Sequence, residues 1–376
     1  ILVLSQCNIS SSQRFYSSIK MKLLRPVKIK GVILPNRITV GSMCQYSAEN
    51  GNPSLWHYGH LQKLAQTGAG MLMLESTAVS KEGRISLKDL TLINKKNQIS
   101  FKRLLSHIKS FSKVPVGIQI SHSGRKGSAK IPWEKSNTPL KKSNGGWVTY
   151  APSAIRRDKR WPVPRKLSIR KIKKIVNQFK TSAILANKAG FDCLEVHMAH
   201  GYLLHEFFSP ISNKREDIYG GNLENRCRFL CEIFKEVRKV WPAKKILSAR
   251  VNGKDWLPDG STIKDCIYLV QKLRKIGIDY VCVTSGGILS KTNIKFKPGY
   301  QVHLAKKIKA KTGVITRTTG MITNLRQANK ILKHKKADLI NIARKFVNSP
   351  TWLIKELIKN RKKTAIANPY KRCFNN

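Results

Sequence analysis

The sequence predicts an α/β fold, a (β/α)8 TIM barrel with a long capping insertion after its third strand. Three observations predict it: eight short apolar runs, helical segments between them, and reactive side chains gathered where the runs end. The runs are 37–40, 71–77, 116–120, 193–196, 246–251, 280–284, 314–318 and 339–343. Most are continuously apolar rather than alternating, as parallel strands covered on both faces must be. Between them lie segments of helical period. In 169–189, Ile172, Ile175, Val176, Phe179, Ala183 and Ala186 fall on one face, which gives the stripe a helix buries against a sheet. Segments 223–240, 263–276, 302–311 and 325–332 read the same way, and 352–360 is a short closing helix. Strand and helix in alternation, eight times over, is the pattern of a closed parallel barrel.

One connection is too long for a plain strand-to-helix loop. Residues 121–167 carry Gly, Pro, Ser and Asn with three tryptophans, Trp133, Trp147 and Trp161, and little periodicity; such an insertion is expected to cover an active site.

The chain has 376 residues, of which 41% are hydrophobic, so it can build a large core. Its 72 Lys and Arg against 20 Asp and Glu leave a formal charge of +52. A nucleic-acid binder concentrates such charge in an Arg-rich or Lys-rich stripe. Here Lys is spread along the whole chain, which reads as a solvated surface and does not favour a nucleic-acid partner. The eight cysteines form no CxxC pair, so neither a zinc ribbon nor a disulfide framework is signalled. No apolar run approaches the ~20 residues a spanning helix needs, and no membrane association is expected.

Residues 1–20 stand apart. They hold Arg14, Lys20, six serines and no acid, the composition of a transit peptide. Met21 is an equally good starting point. The expected organisation is therefore an extension, 1–20, and a single barrel domain, 21–376. A cytoplasmic location is expected, or a mitochondrial one if the extension is a genuine transit peptide.

Active sites of such barrels lie at the C-terminal ends of the strands. Ser42, Met43, Cys44 and Tyr46 follow the first run, Glu75 and Ser76 end the second, and Gln119 and His122 the third. The fourth ends in Glu195, His197, His200, Gly201 and Tyr202, the fifth in Arg250, the sixth in Ser285, Gly286 and Gly287, the seventh in Gly320, and the eighth in Ala343 and Arg344. A single such histidine is commonly a structural residue, but a folding requirement alone does not put polar side chains at so many strand ends. Two imidazoles three residues apart can converge on one oxygen, and a phenol two residues on can supply a proton, its anion favoured by nearby positive charge. A His pair also binds zinc, although no HExxH spacing or clear third ligand accompanies it. The glycines of the last strand ends offer N–H groups to a phosphate, with Arg344 as a fork, or they simply make turns.

As a set these residues resemble the Old Yellow Enzyme family, in particular its bacterial NADPH dehydrogenase and xenobiotic-reductase branch. The resemblance runs from about Leu24 to Phe374. It rests on Pro35-Asn36-Arg37-Ile38, on Ser42-Met43-Cys44-Gln45-Tyr46-Ser47, on the stretch from Gly117 to Arg125, and on the run from Glu195 to Arg226. It implies an FMN cofactor held by Gly41, Ser42, Met43, Cys44, Ser76, Gln119, Arg250, Gly286, Gly320, Ala343 and Arg344. NADPH or NADH would be the reductant. Gln119 and Arg250 would meet the flavin's pyrimidine edge, and the Cys44 thiol would tune its potential, unless it is an inert buried cysteine. Tyr46, His197 and His200 would hold the oxygen of an activated alkene or nitro compound, and Tyr202 would protonate the α-carbon. Arg372 would enter a neighbour's site, which implies a homodimer or homotetramer, or else it lies in a frayed tail. The other class of function is a catalytically silent barrel whose basic surface binds nucleic acid or an anionic surface.

Three positions depart from the family pattern. Ser42 replaces a usual Pro, Ala343 replaces a usual Gly beside the phosphate, and Arg317-Thr318-Thr319 replaces small apolar residues before Gly320. Ala343 puts the affinity for FMN in question, because it adds a methyl where backbone should meet phosphate.

Overall fold

In a computed structural model the described residues are 21–135, 138–290, 292–360 and 368–374. The extension 1–20 lies outside them. The chain opens with an antiparallel hairpin, β1 (Val27–Ile29) and β2 (Val32–Leu34). This hairpin was not read from the sequence. Its Gly31 N–H donates to Lys244 O at 2.8 Å, and Ile29 and Leu34 pack with Met71, Cys193, Ile246 and Leu339 at the N-terminal end of the barrel. The hairpin is thus a plug for the end opposite the site.

The eight expected strands are all present: β3 (Ile38–Val40), β4 (Met71–Ala78), β5 (Val116–Ser121), β8 (Cys193–Met198), β9 (Ile246–Asn252), β10 (Tyr280–Thr284), β11 (Ile315–Thr318) and β12 (Leu339–Ile342). They are all parallel and close in sequence order, β12 pairing β3 through Ile340 with Ile38 and Ile342 with Val40. All eight residues of β4 and all six of β5 are buried. That explains why these strands are mostly apolar, without the alternation of a half-exposed sheet.

Helices α1 (Leu55–Ala65) and α2 (Lys95–Phe111) follow β3 and β4, α4 (Ile169–Ala189) precedes β8, and α6 (Leu223–Val240) precedes β9. Next come α7 (Ile263–Ile276), α8 (Val302–Thr312) and α9 (Leu325–Lys333), then α10 (Arg344–Asn348) and α11 (Trp352–Lys359). Capping explains their starts. Ser168, Asn222, Thr262 and Asn324 each accept an N–H of the first turn, and the Thr262 side chain does so within a reciprocal box with Asp265. The face expected on 169–189 is the buried one.

The insertion is there and is largely irregular. It holds the 3-10 turns Gly124–Lys126 and Lys142–Asn144, the short helix α3 (Pro132–Lys135), and a two-residue parallel pair, β6 (Tyr150–Ala151) with β7 (Arg165–Lys166). Its tryptophans fasten it over the barrel mouth. Trp133 meets the Tyr46 ring edge-on at 6.1 Å, Trp147 Nε1 donates to Glu82 O at 3.0 Å, and Trp161 is buried beneath the Arg157 guanidinium at 4.9 Å.

Candidate active site

The turn after β8 builds the centre of the mouth. His200 and Gly201 both take left-handed backbone, φ 59° and 71°. A Cβ on Gly201 would lie 2.2 Å from Gly287 O, so only glycine lets the turn pass so close to the loop after β10. Short helix α5 (Leu203–Phe208) starts at once, with Tyr202 as its N-cap. The His197 ring centre stands 5.1 Å from that of His200 and 5.2 Å from that of Tyr202. The three expected residues are therefore brought together. Their nitrogens, however, face one another: His200 Nδ1 lies 3.3 Å from His197 Nε2, and His200 Nε2 lies 3.0 Å from Thr284 Oγ1. His197 Nδ1 is buried without a partner.

Burial, then the Arg250 charge, push both histidines well below the usual imidazole range, so each is neutral at pH 7. Tyr202 departs from expectation. Burial, with Cys44 and Asp89 adding to it, raises its phenol above the usual value, and this outweighs the opposing charges of Arg157 and Arg250. Positive charge does not make Tyr202 an easier acid. Desolvation makes it a more tenacious one.

Tyr46 sits at φ 49°, half-buried, and burial raises its phenol as well. The Cys44 thiol is held neutral by burial and by Glu75 and Asp89, against a hydrogen bond from the Ser76 backbone. Gln119 is buried and its Nε2 donates to Glu195 Oε1 at 2.7 Å. Arg250 is paired beside His197 across β9 and β8.

Lys126 was missed, although it follows directly on the Gly117–Arg125 stretch. Its Nζ donates to His200 O at 2.5 Å and to Gly287 O at 2.8 Å and lies 5.5 Å from the Tyr202 ring centre. Burial first, then Arg157, bring its pKa down to about 7. Next to it, Arg125 donates from Nη2 to Ile288 O at 3.0 Å, and its N–H donates to Glu206 Oε1 at 2.9 Å. These charges knit the insertion to the loops after β8 and β10. Only spatial proximity could have singled them out.

The residues expected beside a phosphate stand as follows. Arg344 opens α10 with its side chain exposed, and Ala343 is the N-cap. Gly41 is packed so tightly that a Cβ would meet the Asn341 amide at 2.6 Å. The Gly286 N–H donates to Lys254 O at 2.9 Å, so this N–H is engaged in the turn after β10. Gly320 takes φ 109° and its carbonyl accepts from Gly299 N–H. Met43 is half-buried against the main core. Arg372 is exposed in the 3-10 segment Asn368–Phe374.

The polar atoms left over agree with an acceptor-rich cofactor. Arg250 Nε, Ser42 Oγ, Ser285 Oγ and Thr318 Oγ1 are buried with no protein partner, and all four lie at the C-terminal ends of barrel strands. A buried donor without an acceptor is costly, by about 1–3 kcal/mol each. FMN brings carbonyls, hydroxyls and a phosphate, so the residues present fit it. Among the described residues no three His, Cys, Asp or Glu side chains are placed to hold a metal ion, and no helix is long and apolar enough to cross a membrane.

Known proteins agree with the geometry. The model of the NADH:flavin oxidoreductase / NADH oxidase family matches residues 22–364. An NADH:flavin oxidoreductase of Gibberella zeae is 39% identical over 346 residues, covering 88% of this chain and 83% of the relative. An NADPH dehydrogenase of Bacillus pumilus is 39% identical over 331 residues, covering 88% and 92%. Among solved structures, an old yellow enzyme homologue from Zymomonas mobilis superposes with a TM-score of 0.75 at 20% identity, covering 90% of this chain and 93% of that one. 2-Naphthoyl-CoA reductase gives 0.81 at 24% identity, covering 92% of this chain but only 53% of that longer protein. The two structures speak for the barrel and the two relatives for the family: this chain belongs to the NADH:flavin oxidoreductase / NADH oxidase family, and is an FMN-dependent oxidoreductase of Old Yellow Enzyme type using NADH or NADPH.

Proposed function

We propose that the enzyme reduces activated C=C bonds, those of α,β-unsaturated carbonyl and nitro compounds, with Tyr202 as the proton donor. The observation that carries this reading is the Tyr202 ring, whose centre stands 5.2 Å from that of His197, with the buried His197 Nδ1 left without a partner. When bound, FMN supplies the two-electron chemistry, exchanging a hydride with the nicotinamide and with the β-carbon of the alkene. Gly41, Ser42, Met43, Cys44, Ser76 and Gln119 would hold it from the first three barrel strands. Arg250, Gly320, Ala343 and Arg344 would hold it from the fifth, seventh and eighth, the two arginines by charge.

The protein's own work is orientation and proton transfer. Tyr46, His197 and His200 receive the oxygen of the electron-withdrawing group. As neutral imidazoles they donate hydrogen bonds without giving up a proton, and this draws electron density from the β-carbon. His200 must exchange its contact with His197 or Thr284 to do so. Negative charge then builds toward the α-carbon, and the Tyr202 hydroxyl quenches it. A phenol held neutral by burial keeps its proton until a base that strong has formed. The Cys44 thiol, neutral for the same reason, tunes the cofactor without reacting. Arg372 reaches the mouth of a neighbouring copy in a homodimer or homotetramer.

The test is Tyr202→Phe under anaerobic stopped flow. Reduction of a cyclic enone should slow by about 10²–10⁴-fold, while reduction of the flavin by NADPH stays nearly unchanged. Equal loss in both half-reactions would remove Tyr202 from the proton-donor role.

A further inference from the structure

One strand end carries a charge where the family pattern has a small apolar residue, and the fold gives it a use. Arg317, the third residue of β11, points into the barrel and is 1% exposed. Its Nη2 pairs with Glu195 Oε2 of β8, which is 0% exposed. The other oxygen of that carboxylate, Oε1, accepts Gln119 Nε2 at 2.7 Å. Arg317 is itself placed by Thr39 and Tyr280. Its Nη1 lies 3.5 Å from Thr39 Oγ1, Thr39 donates to Asn341 Oδ1 at 3.0 Å, and the guanidinium carbon stands 5.1 Å from the Tyr280 ring centre. A continuous chain of contacts therefore runs from Asn341 through Thr39, Arg317 and Glu195 to Gln119.

Donor and acceptor chemistry gives the chain a direction. A carboxylate only accepts, so the nitrogen end of the Gln119 amide must face Glu195 and its carbonyl oxygen must face away. A carboxyl buried with no counter-charge would instead take up a proton, and then it could donate to either orientation of the amide. We infer that Arg317 is a positioning residue: through Glu195 it determines which end of the Gln119 amide the cofactor meets. The inference rests on the reading of Gln119 as a cofactor ligand. It accounts for a cation in the barrel interior that otherwise has no task, since the flavin-side charge is already supplied by Arg250.

The experiment measures FMN dissociation from the full chain by flavin fluorescence, along with the visible spectrum and midpoint potential of the holoenzyme. Four variants are compared: Gln119→Leu, Arg317→Met, their combination, and Glu195→Gln with Arg317→Met. Losing a hydrogen bond of this kind is expected to weaken FMN binding roughly ten- to a hundredfold. Gln119→Leu and Arg317→Met should weaken it to a similar degree and shift the potential alike, and their combination should be no worse than either alone. The charge-neutral pair Glu195→Gln with Arg317→Met avoids a lone buried carboxyl, so it should fold even where Arg317→Met does not. It should still bind FMN more weakly than the wild type, because an amide partner accepts both orientations of Gln119. If Gln119→Leu leaves FMN binding intact, the reading of Gln119 fails, and the inference with it. If Gln119→Leu weakens binding but the Arg317 variants do not, or the two effects multiply, that reading stands and the inference is overturned.

Discussion

His205 Nε2 lies 2.8 Å from Asp255 Oδ1 with both side chains fully buried, while His205 Nδ1 accepts the Gly201 N–H at 2.7 Å. The two bonds fix the tautomer: Nδ1 accepts, so Nε2 carries the proton. Asp255 also accepts from Ser209 Oγ at 2.7 Å, Asn252 Nδ2 at 2.8 Å and Ser261 N–H at 2.7 Å. A saturated carboxylate thus holds a histidine that holds the turn carrying His200 and Tyr202.

The first prediction concerns that pair. Burial pushes the Asp255 carboxyl up, but His205 and the other donors outweigh it and leave it below its usual range. A depressed carboxylate adds stability that is present above its unfolded pKa, near 3.9, and lost as pH falls through the lower folded value. Asp255→Asn should cost about 3 kcal/mol at neutral pH, the order seen when one partner of a buried pair is removed. The difference from wild type should shrink below about pH 4. Urea unfolding across that range measures it, and a difference that stays constant with pH would argue against an ionised Asp255.

Tyr202 should show no ionisation of its own within the working range. Because burial holds its phenol above the usual value, the rate of alkene reduction should have no alkaline limb near pH 10, where an ordinary tyrosine titrates. A pH–rate profile of the alkene half-reaction tests this. A limb near pH 10 that vanishes in Tyr202→Phe would show a solvated phenol.

Glu206 gives a prediction of the opposite sign to Asp255. Its Oε2 is buried without a partner, and burial raises its pKa to about 8 despite Arg125. Between the unfolded value of about 4.3 and the folded one, the native chain keeps a proton that the unfolded chain releases, so stability falls as pH rises through this window. Glu206→Gln should match wild type near pH 5 and exceed it by roughly 1–3 kcal/mol near pH 8. Thermal or urea unfolding at the two pH values decides it; equal stability at the higher pH would mean Glu206 ionises at little cost. The neighbouring Gly124, at φ 61°, explains why the carboxyl fits: a Cβ there would lie 2.3 Å from Glu206 Oε1.

Ala343 should prove harmless. Its φ is −119°, so the position does not call for the left-handed backbone that makes glycine necessary. Ala343→Gly is expected to change the FMN dissociation constant by less than about threefold, a shift under about 0.7 kcal/mol. A much tighter Ala343→Gly protein would show that the methyl does obstruct the phosphate.

Much of this protein was legible in the chain alone, for reasons particular to its elements. The barrel strands are buried on both faces, so most begin as short apolar runs with the polar residues toward their C-terminal ends, and all eight were located to within two residues at either end. Helices such as 169–189 were equally plain, since one face must be apolar and Ser168 caps the start. The N-terminal hairpin and helices α1 and α2 were not named: three-residue strands carry no period, and the hydrophobic face of α1 is weakly marked, with Leu55 and Trp56 exposed. Cys44, Tyr46, Gln119, His197, His200, Tyr202 and Arg250 could be named as candidates because each follows or ends a strand, where a barrel places its chemistry.

What only the tertiary structure decided is how those groups stand toward one another. Protonation depends on burial and on neighbours distant in sequence, so the raised phenol of Tyr202 and the lowered imidazoles of His197 and His200 had no local signature. Lys126 over the His200 turn, His205 against Asp255, and Arg317 against Glu195 and through it Gln119 join residues 74, 50, 122 and 76 positions apart. Apolar patterning specifies which elements form and that they close into a barrel. The polar contacts inside that barrel exist only once closure removes water and leaves these groups no partner but each other.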